Sequence, residues 1–416
     1  MPEMVRRMQH MFDFMRAPND QSYVYTGKFW RPIHHNTLRA MCLEADYEPH
    51  TTVTRREKVR KTIEDETSMA RDVPWNDLKP EEVPFDNGVL NILTGNMRHH
   101  RPDDYLDKYV PHDYDPEATC PRWLACLDDW FGEDNDKKLA MQEFFGYILM
   151  TSSAKYKMCM VLLGESNTGK SQVTNVAREL VGMHNICQIP LEQMDDARKR
   201  APIKGKMLNV ISELPQWGTL AESGFKMLVS NDEPVEIDAK HVQQETIIPT
   251  AKHIIATNSF PHINDRSKGV INRMLVIKFE RVIEPEKMDV HLLERLKVEL
   301  PGIANWALEG ARRLIESGGQ WTKPRGMDAL LKHYTATSNP IQLFIEDDGR
   351  VFVDPEGRIR TSRFAELYKE SPVYHRMNYA RILRTMEELG YPTITVKGYK
   401  YYEGVRERKT SDGLPE

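Results

Sequence analysis

The sequence predicts an α/β protein. A phosphate-loop nucleotide-binding core follows an N-terminal mixed α/β and helical region and precedes a winged-helix-like C-terminal domain. Three observations carry this reading. Residues 158–171, MCMVLLGESNTGKS, run an apolar segment into a glycine-framed loop and then into a helical pattern. From 156 to 312, short apolar runs alternate with helical periodicity, as expected of an α/β sheet with crossover helices. Beyond Ser317-Gly318-Gly319, helical stretches near 327–336, 341–346, 362–369 and 379–389 lead into an aromatic hairpin over 393–405 with Gly398 at its tip.

The loop is the most specific of the three. Gly164, Glu165, Ser166, Asn167, Thr168, Gly169, Lys170 and Ser171 spell G-x-x-x-x-G-K-S. Glycines at both ends allow a tight turn whose N–H groups point inward, and a helix N-terminus behind it favours an anion. Lys170 can then reach the β- and γ-phosphates of a nucleoside triphosphate, and the Ser171 hydroxyl can ligate Mg²⁺. From average composition, a chance match in a chain of this size has a probability of roughly 1%.

A phosphate loop needs an acid that completes the metal shell and positions water. The apolar run 208–212 ends in Glu213, about one crossover unit downstream, where it would face the same crevice. A second run, 253–257, ends in Asn258, whose amide can orient a water or touch the γ-phosphate. A third, 274–279, is preceded by Arg273, a position that suits an arginine finger. The ordered set Lys170, Glu213, Asn258 and Arg273 is the candidate catalytic group, with Ser171 and Glu213 as candidate metal ligands.

The remaining elements are coarser. Residues 4–15 have the spacing of an amphipathic helix, and Thr26-Gly27 sits between strand-like pieces. Residues 55–60 form a basic helical stretch, read as a solvated face. Asn87-Gly88 marks a turn, and the proline- and acid-bearing connector 111–121 marks a boundary. From 121 to 151 aromatic residues recur at helical spacing. The expected units are 1–115, 116–155, 156–318 and 319–416, with a charged, disordered tail from Arg406.

Composition bounds the partners. A net charge of −5 excludes an overall basic field but not a channel that concentrates a few cations. The five cysteines are scattered without a C-x-x-C pair, which reads as reduced thiols in a cytoplasmic setting. No apolar run is long enough to span a membrane. His34-His35 and His99-His100 lack partners at ligand spacing and read as surface or packing residues.

With these pieces in order, residues 20–345 resemble the helicase part of phage and plasmid primase–helicases, in helicase superfamily 3. The poxvirus primase–helicase is similar, and polyomavirus, papillomavirus and parvovirus helicases more remotely so. The matching segments include Phe85-Asp86-Asn87-Gly88-Val89-Leu90, Cys120-Pro121-Arg122-Trp123, 142–149, the phosphate loop, Ile211-Ser212-Glu213, Thr257-Asn258-Ser259-Phe260-Pro261, Asn272-Arg273-Met274 and 302–307.

The resemblance implies an AAA+-type ring, usually a hexamer, that hydrolyses ATP with Mg²⁺ between subunits and pulls single-stranded DNA through its pore at a fork. It makes 164–171 the Walker A loop, Glu213 the Walker B acid, Asn258 the sensor and Arg273 the finger reaching a neighbour. It places 116–155 as an oligomerisation collar and Lys240-His241 on a DNA-gripping pore hairpin. It also implies a bacterial or phage-infected cytoplasm.

Two departures stand out. Ser212 precedes Glu213 where many members carry a second acid, so one carboxylate serves both tasks or Asp232 assists. Members often carry a primase domain ahead of the helicase part, and the residues before 20 leave no room for one. Priming is then expected from a separately encoded primase or polymerase, unless the chain is a fragment. Two other classes compete: a P-loop enzyme acting on a small molecule, which predicts an arginine-rich lid, and a nucleotide-gated DNA-binding or assembly ATPase that does not unwind.

Overall fold

The fold was determined as a computed structural model describing residues 2–44, 52–69, 73–151, 155–212, 220–230, 233–238, 245–260, 269–331, 340–346, 348–371, 374 and 377–408. The chain divides into two compact units. One comprises Met1–Leu214, Ser223–Ser259 and Arg273–Arg325, and the other Pro215–Glu222, Phe260–Asn272 and Gly326–Glu416.

The first unit opens with helix α1 (Pro2–Met11), a three-stranded antiparallel sheet β1 (Phe14–Arg16), β2 (Ser22–Tyr25) and β3 (Trp30–Ile33), and helices α2 (His35–Glu44) and α3 (Val53–Glu66). Met4, Met8, Val24, Leu38, Val59 and Ile63 form its core. The helix expected over 4–15 stops at Met11. Phe14 instead pairs with Val24 and Arg16 with Ser22, because a sheet partner satisfies their backbone groups. A second antiparallel meander, β4 (Glu82–Phe85), β5 (Gly88–Asn91) and β6 (Met97–Arg98), turns at Asn87-Gly88 as expected.

Helices α4 (Pro121–Phe131) and α5 (Asn135–Leu149) come next. Pro121 occupies the first turn of α4, where its missing N–H costs nothing, and Asp134 caps α5 by accepting from the Lys137 N–H. Then follow β7 (Cys159–Leu163), α6 (Lys170–Val181), β8 (Ile186–Cys187), α7 (Ala197–Arg200), β9 (Leu208–Ser212), α8 (Glu222–Ser230), the hairpin β10 (Val235–Ile237) and β11 (Glu245–Ile247), β12 (Lys252–Thr257) and β13 (Met274–Lys278). Five of these strands build one parallel sheet in the order β13-β7-β12-β9-β8. β7 and β12 are buried throughout, which is why β7 reads as a continuous apolar run and β12 has an apolar centre, Ile254-Ile255-Ala256, rather than an alternating pattern.

Helices α9 (Leu292–Val298) and α10 (Leu300–Glu316) close the unit. α10 crosses α5 at backbone contact. A Cβ on Gly310 would lie 2.2 Å from the Gln142 carbonyl oxygen, and one on Gly146 2.3 Å from that of Ala307. Across this seam the buried Glu143 carboxylate accepts from Arg313 Nε at 2.8 Å and from the Thr322 N–H at 2.8 Å.

The second unit contains α11 (Pro340–Glu346), β14 (Val351–Arg360), α12 (Thr361–Lys369), α13 (Tyr379–Glu388), β15 (Thr393–Val396) and β16 (Tyr399–Glu407). Its antiparallel sheet has the order β14-β16-β15, and Phe344, Phe364, Tyr368 and Tyr402 fill its core. The expected hairpin is present, turning at Lys397-Gly398, and β16 runs on through Arg406 to Glu407, where a disordered tail was expected. β14 is an element the sequence reading omits. Its ladder shifts register between Val353 and Arg358, so Asp354-Pro355-Glu356-Gly357 reads locally as a turn.

The α5–α10 seam yields a test. An alanine in a helix interior normally stabilises by up to about 1 kcal/mol relative to glycine. Gly310→Ala is expected to destabilise instead, by about 1–3 kcal/mol, since backbone faces the new methyl and cannot step aside. Thermal denaturation monitored by circular dichroism reads the sign directly; a raised midpoint contradicts the close approach.

Candidate nucleotide site

The phosphate loop leaves the carboxyl end of β7 at Gly164. There the chain leaving β13 passes so close that a Cβ on Gly164 would meet the Phe279 carbonyl oxygen at 2.5 Å. The Gly164 N–H donates to the Thr257 carbonyl at 3.2 Å, and the Phe279 N–H to that of Leu163 at 2.7 Å. Asn167 (φ 60°) and Gly169 (φ 101°) take left-handed conformations, which Gly tolerates freely and Asn more readily than most residues. Gly169 has a second reason to be glycine: a Cβ would lie 2.7 Å from Nε1 of Trp130. The residues between are exposed at the loop tip, apart from buried Thr168.

Lys170 opens α6 and folds back into the loop. Its Nζ donates to the carbonyl oxygens of Gly164 (2.7 Å) and Glu165 (2.5 Å) and approaches Thr168 Oγ1 at 3.4 Å. The side chain is buried, and desolvation lowers its pKa from the ordinary lysine value. Among the described residues no carboxylate pairs with it. A cation held only by neutral carbonyls at the foot of an exposed loop is an environment in which an entering anion gains charge-assisted hydrogen bonds. Ser171, next in the chain, is exposed.

The parallel register places the other residues. Thr257 lies opposite Leu163, so Asn258 follows β12 beside Gly164, exposed at the same carboxyl edge. Ser212, the last residue of β9, pairs with Ala256 and ends at that edge too. Its hydroxyl accepts from Arg178 Nη2 of α6 at 3.0 Å. Glu213 and Asp232, and Lys240 and His241, lie outside the described residues.

Arg273 is elsewhere. Met274 pairs with Cys159, the first residue of β7, so Arg273 stands at the amino edge of the sheet. At about 3.3 Å per residue, the length of β7 separates it from the loop by roughly 16 Å. Its Nε donates to Ser230 Oγ at 2.7 Å. Lys170, Ser171 and Asn258 thus share an edge, and Arg273 of the same chain does not join them.

Two features of the loop's surroundings escape a reading of the sequence. Trp130 packs its indole on Gly169, whereas helical spacing marks it only as core. The segment after β13 runs along the loop, and the Ile283 N–H donates to the Asn167 carbonyl at 2.8 Å. That segment is tied to the helices before the sheet. Phe279 packs on Phe131 at 4.9 Å between centroids, Lys137 pairs with Glu280 at 3.0 Å, and Arg281 reaches the Asp129 carbonyl at 2.8 Å. No local signal in 279–283 announces contact with a loop more than a hundred positions earlier.

Among the described residues, no group of three or more His, Cys, Asp or Glu side chains could hold a metal, and no helix is long and apolar enough to cross a membrane. The His34 and His35 ring centroids lie 3.8 Å apart with the rings tilted at 40°, and the imidazole of His100 sits 2.8 Å from the Phe85 carbonyl.

Residues 4–132 match a family model described as D5 N terminal like, and 162–273 match one described as a family of unknown function (DUF5906). An uncharacterized mitochondrial protein, ymf21, of Marchantia polymorpha is 25% identical over 130 residues, covering 28% of this chain and 72% of that protein. A putative helicase, 184R, of Invertebrate iridescent virus 6 is 22% identical over 257 residues, 56% of this chain; the match spans 26% of the viral protein. Among solved structures, the A-form apo structure of the NrS-1 C-terminal region aligns with a TM-score of 0.55 at 12% identity, covering 96% of this chain and 98% of that one. A second A-form structure, of its residues 305–718, gives 0.53 at 12%, covering 97% and 100%. The fold is shared with these structures.

If the loop is an anion site, Lys170→Ala should abolish binding of Mg²⁺–ATP and lower any hydrolysis by at least about 10²-fold. The circular dichroism spectrum should be unchanged, because the lysine's partners are loop carbonyls. Isothermal titration checks the first; wild-type affinity in the variant contradicts the assignment.

Proposed function

We propose that this protein is an ATP-dependent DNA helicase acting in replication, an AAA+-type ring, hexameric on the superfamily 3 pattern, that moves along single-stranded DNA at a fork. The observation that carries the reading is the buried Lys170 ammonium. It lacks a carboxylate partner among the described residues, and an exposed, glycine-dependent loop surrounds it at the carboxyl edge of a parallel sheet. The D5 N terminal like match and the similarity to a putative viral helicase support the choice of helicase among P-loop functions.

In this reading, the loop N–H groups and Lys170 hold the β- and γ-phosphates of ATP, and Ser171 and Glu213 hold Mg²⁺. The metal would neutralise phosphate charge. Glu213 takes the proton of the attacking water, and Asn258, beside Gly164, orients that water. Arg178 anchors Ser212 and thereby the strand end from which Glu213 continues. Arg273, about a strand's length from its own loop, serves the site of the adjacent subunit, which makes the ring a requirement of the chemistry. Lys240 and His241 grip the strand in the pore, the lysine by phosphate contact and the histidine by stacking or hydrogen bonding. The helix-strand-helix-helix-strand-strand order of the second unit supports a winged helix. A separately encoded primase or polymerase would supply priming.

Mixing two defective proteins tests the shared site. Arg273→Ala and Lys170→Ala should each lose ATPase activity, the former by about 10³–10⁵-fold if the finger is worth its usual amount. Rings assembled from both should regain activity where an intact loop meets an intact finger. Demonstrated co-assembly without recovery would remove Arg273 from the neighbour's site.

A further inference from the structure

One peptide of the phosphate loop is oriented from outside the loop. Asn167 is left-handed (φ 60°), a state that asparagine tolerates but does not favour, and its carbonyl accepts the Ile283 N–H at 2.8 Å. The C=O and N–H of a trans peptide point opposite ways, so this bond turns the Thr168 N–H away from Ile283. Thr168 is buried, and among the described residues its N–H has no hydrogen-bond partner. Its hydroxyl donates to the Glu165 carbonyl at 2.9 Å and stands 3.4 Å from Lys170 Nζ. The open donor thus belongs to the residue whose side chain meets the buried ammonium.

The segment that carries Ile283 is held in turn by the last turn of α4, through three consecutive residues. Asp129 receives the Arg281 guanidinium on its backbone carbonyl, at 2.8 Å, and on its carboxylate. Carbonyls at a helix C-terminus lack intrahelical donors, and the helix dipole there favours a cation. Trp130 lies against the loop itself, since a Cβ on Gly169 would meet its Nε1 at 2.7 Å. Phe131 packs on Phe279 at 4.9 Å between centroids. A second ion pair joins Lys137 of α5 to Glu280 at 3.0 Å. The end of α4 therefore bears on the loop twice, directly at Gly169 and through 279–283 at Asn167.

We infer that Glu280 and Arg281 are positioning residues for triphosphate binding. They clip 279–283 to α5 and α4, so that Ile283 holds the Asn167–Thr168 peptide with its N–H turned toward the phosphates. A loop fixed in this way need not be ordered by the ligand, and the affinity gained is that of preorganisation. Neither side chain touches the nucleotide. The inference rests on the nucleotide reading of the loop and deepens it. The competing view, that these are ordinary surface ion pairs, predicts no effect on either binding or rate.

The test uses the full chain. Mg²⁺–ATP affinity is measured by isothermal titration, and kcat at saturating ATP, for wild type, Arg281→Lys and the combined Glu280→Ala, Arg281→Ala variant. Both positions are exposed, and Lys137 keeps Asp134 at 3.4 Å, so the double variant leaves no buried charge unpaired. It should bind Mg²⁺–ATP about three- to thirtyfold more weakly, the range that two surface ion pairs of ordinary strength supply. Its kcat should stay within about twofold of wild type, because the groups that act on the bound triphosphate are untouched. Arg281→Lys, which can still donate to the Asp129 carbonyl and carboxylate, should keep most of the affinity. Unchanged affinity in the double variant, a fall in kcat at unchanged affinity, or a loss that tracks a lowered thermal midpoint overturns the inference and leaves the nucleotide reading standing. Failure of the wild type to bind Mg²⁺–ATP overturns the nucleotide reading itself.

Discussion

A lysine held inside its own loop sets the terms for the rest of this structure. Lys170 can lie against the Gly164 and Glu165 carbonyls because the chain turns back through left-handed Asn167 and Gly169. The two framing glycines are hemmed in, Gly164 by the Phe279 carbonyl and Gly169 by the Trp130 indole, so a side chain at either would push apart elements from three parts of the sequence. Burial alone does not mark an anion site, as Lys252 shows. It is fully enclosed, bonded to the Met150 carbonyl and set over the Tyr147 ring, and desolvation lowers its pKa well below the ordinary lysine value. Lys170 differs because the loop above it is exposed and the adjacent Ser171 hydroxyl is accessible.

The parallel sheet converts strand order into a division of labour. Because β7, β9 and β12 all point the same way, whatever follows them gathers at one edge, which is how Gly164, Asn258 and the end of β9 come together. Whatever precedes a strand gathers at the other edge, and Arg273 precedes β13. A catalytic role for that arginine follows only if a second copy presents its amino edge to the first copy's loop. The segment 279–283 belongs to the carboxyl edge: it leaves β13 there, runs along the loop 164–169 and is fastened to α4 and α5.

Much of this is legible in the sequence where the signal is local. The run 159–163 between turn signals reads as a buried strand, the G-x-x-x-x-G-K-S loop declares its turn and helix start, and the glycines of Asn87-Gly88 and at position 398 mark hairpins because glycine accepts left-handed backbone. What cannot be read depends on distant partners. Phe14 to Arg16 continue a helical spacing and become a strand because β2 is there to pair with. β14 is interrupted by Asp354-Pro355-Glu356-Gly357 and survives because β16 bridges the bulge. Helical spacing puts Trp130 in a core, as found, but its packing on Gly169 is set by how α4 meets the sheet, which no spacing encodes.

The most direct measurement of the central claim is unwinding of a forked DNA substrate by the wild-type protein with ATP, run beside its ATPase rate with and without single-stranded DNA. The account predicts strand separation that requires ATP hydrolysis and an ATPase that single-stranded DNA accelerates. Binding and hydrolysis of ATP at a rate indifferent to DNA, with the fork left intact, would contradict it and leave a nucleotide-gated assembly ATPase in its place.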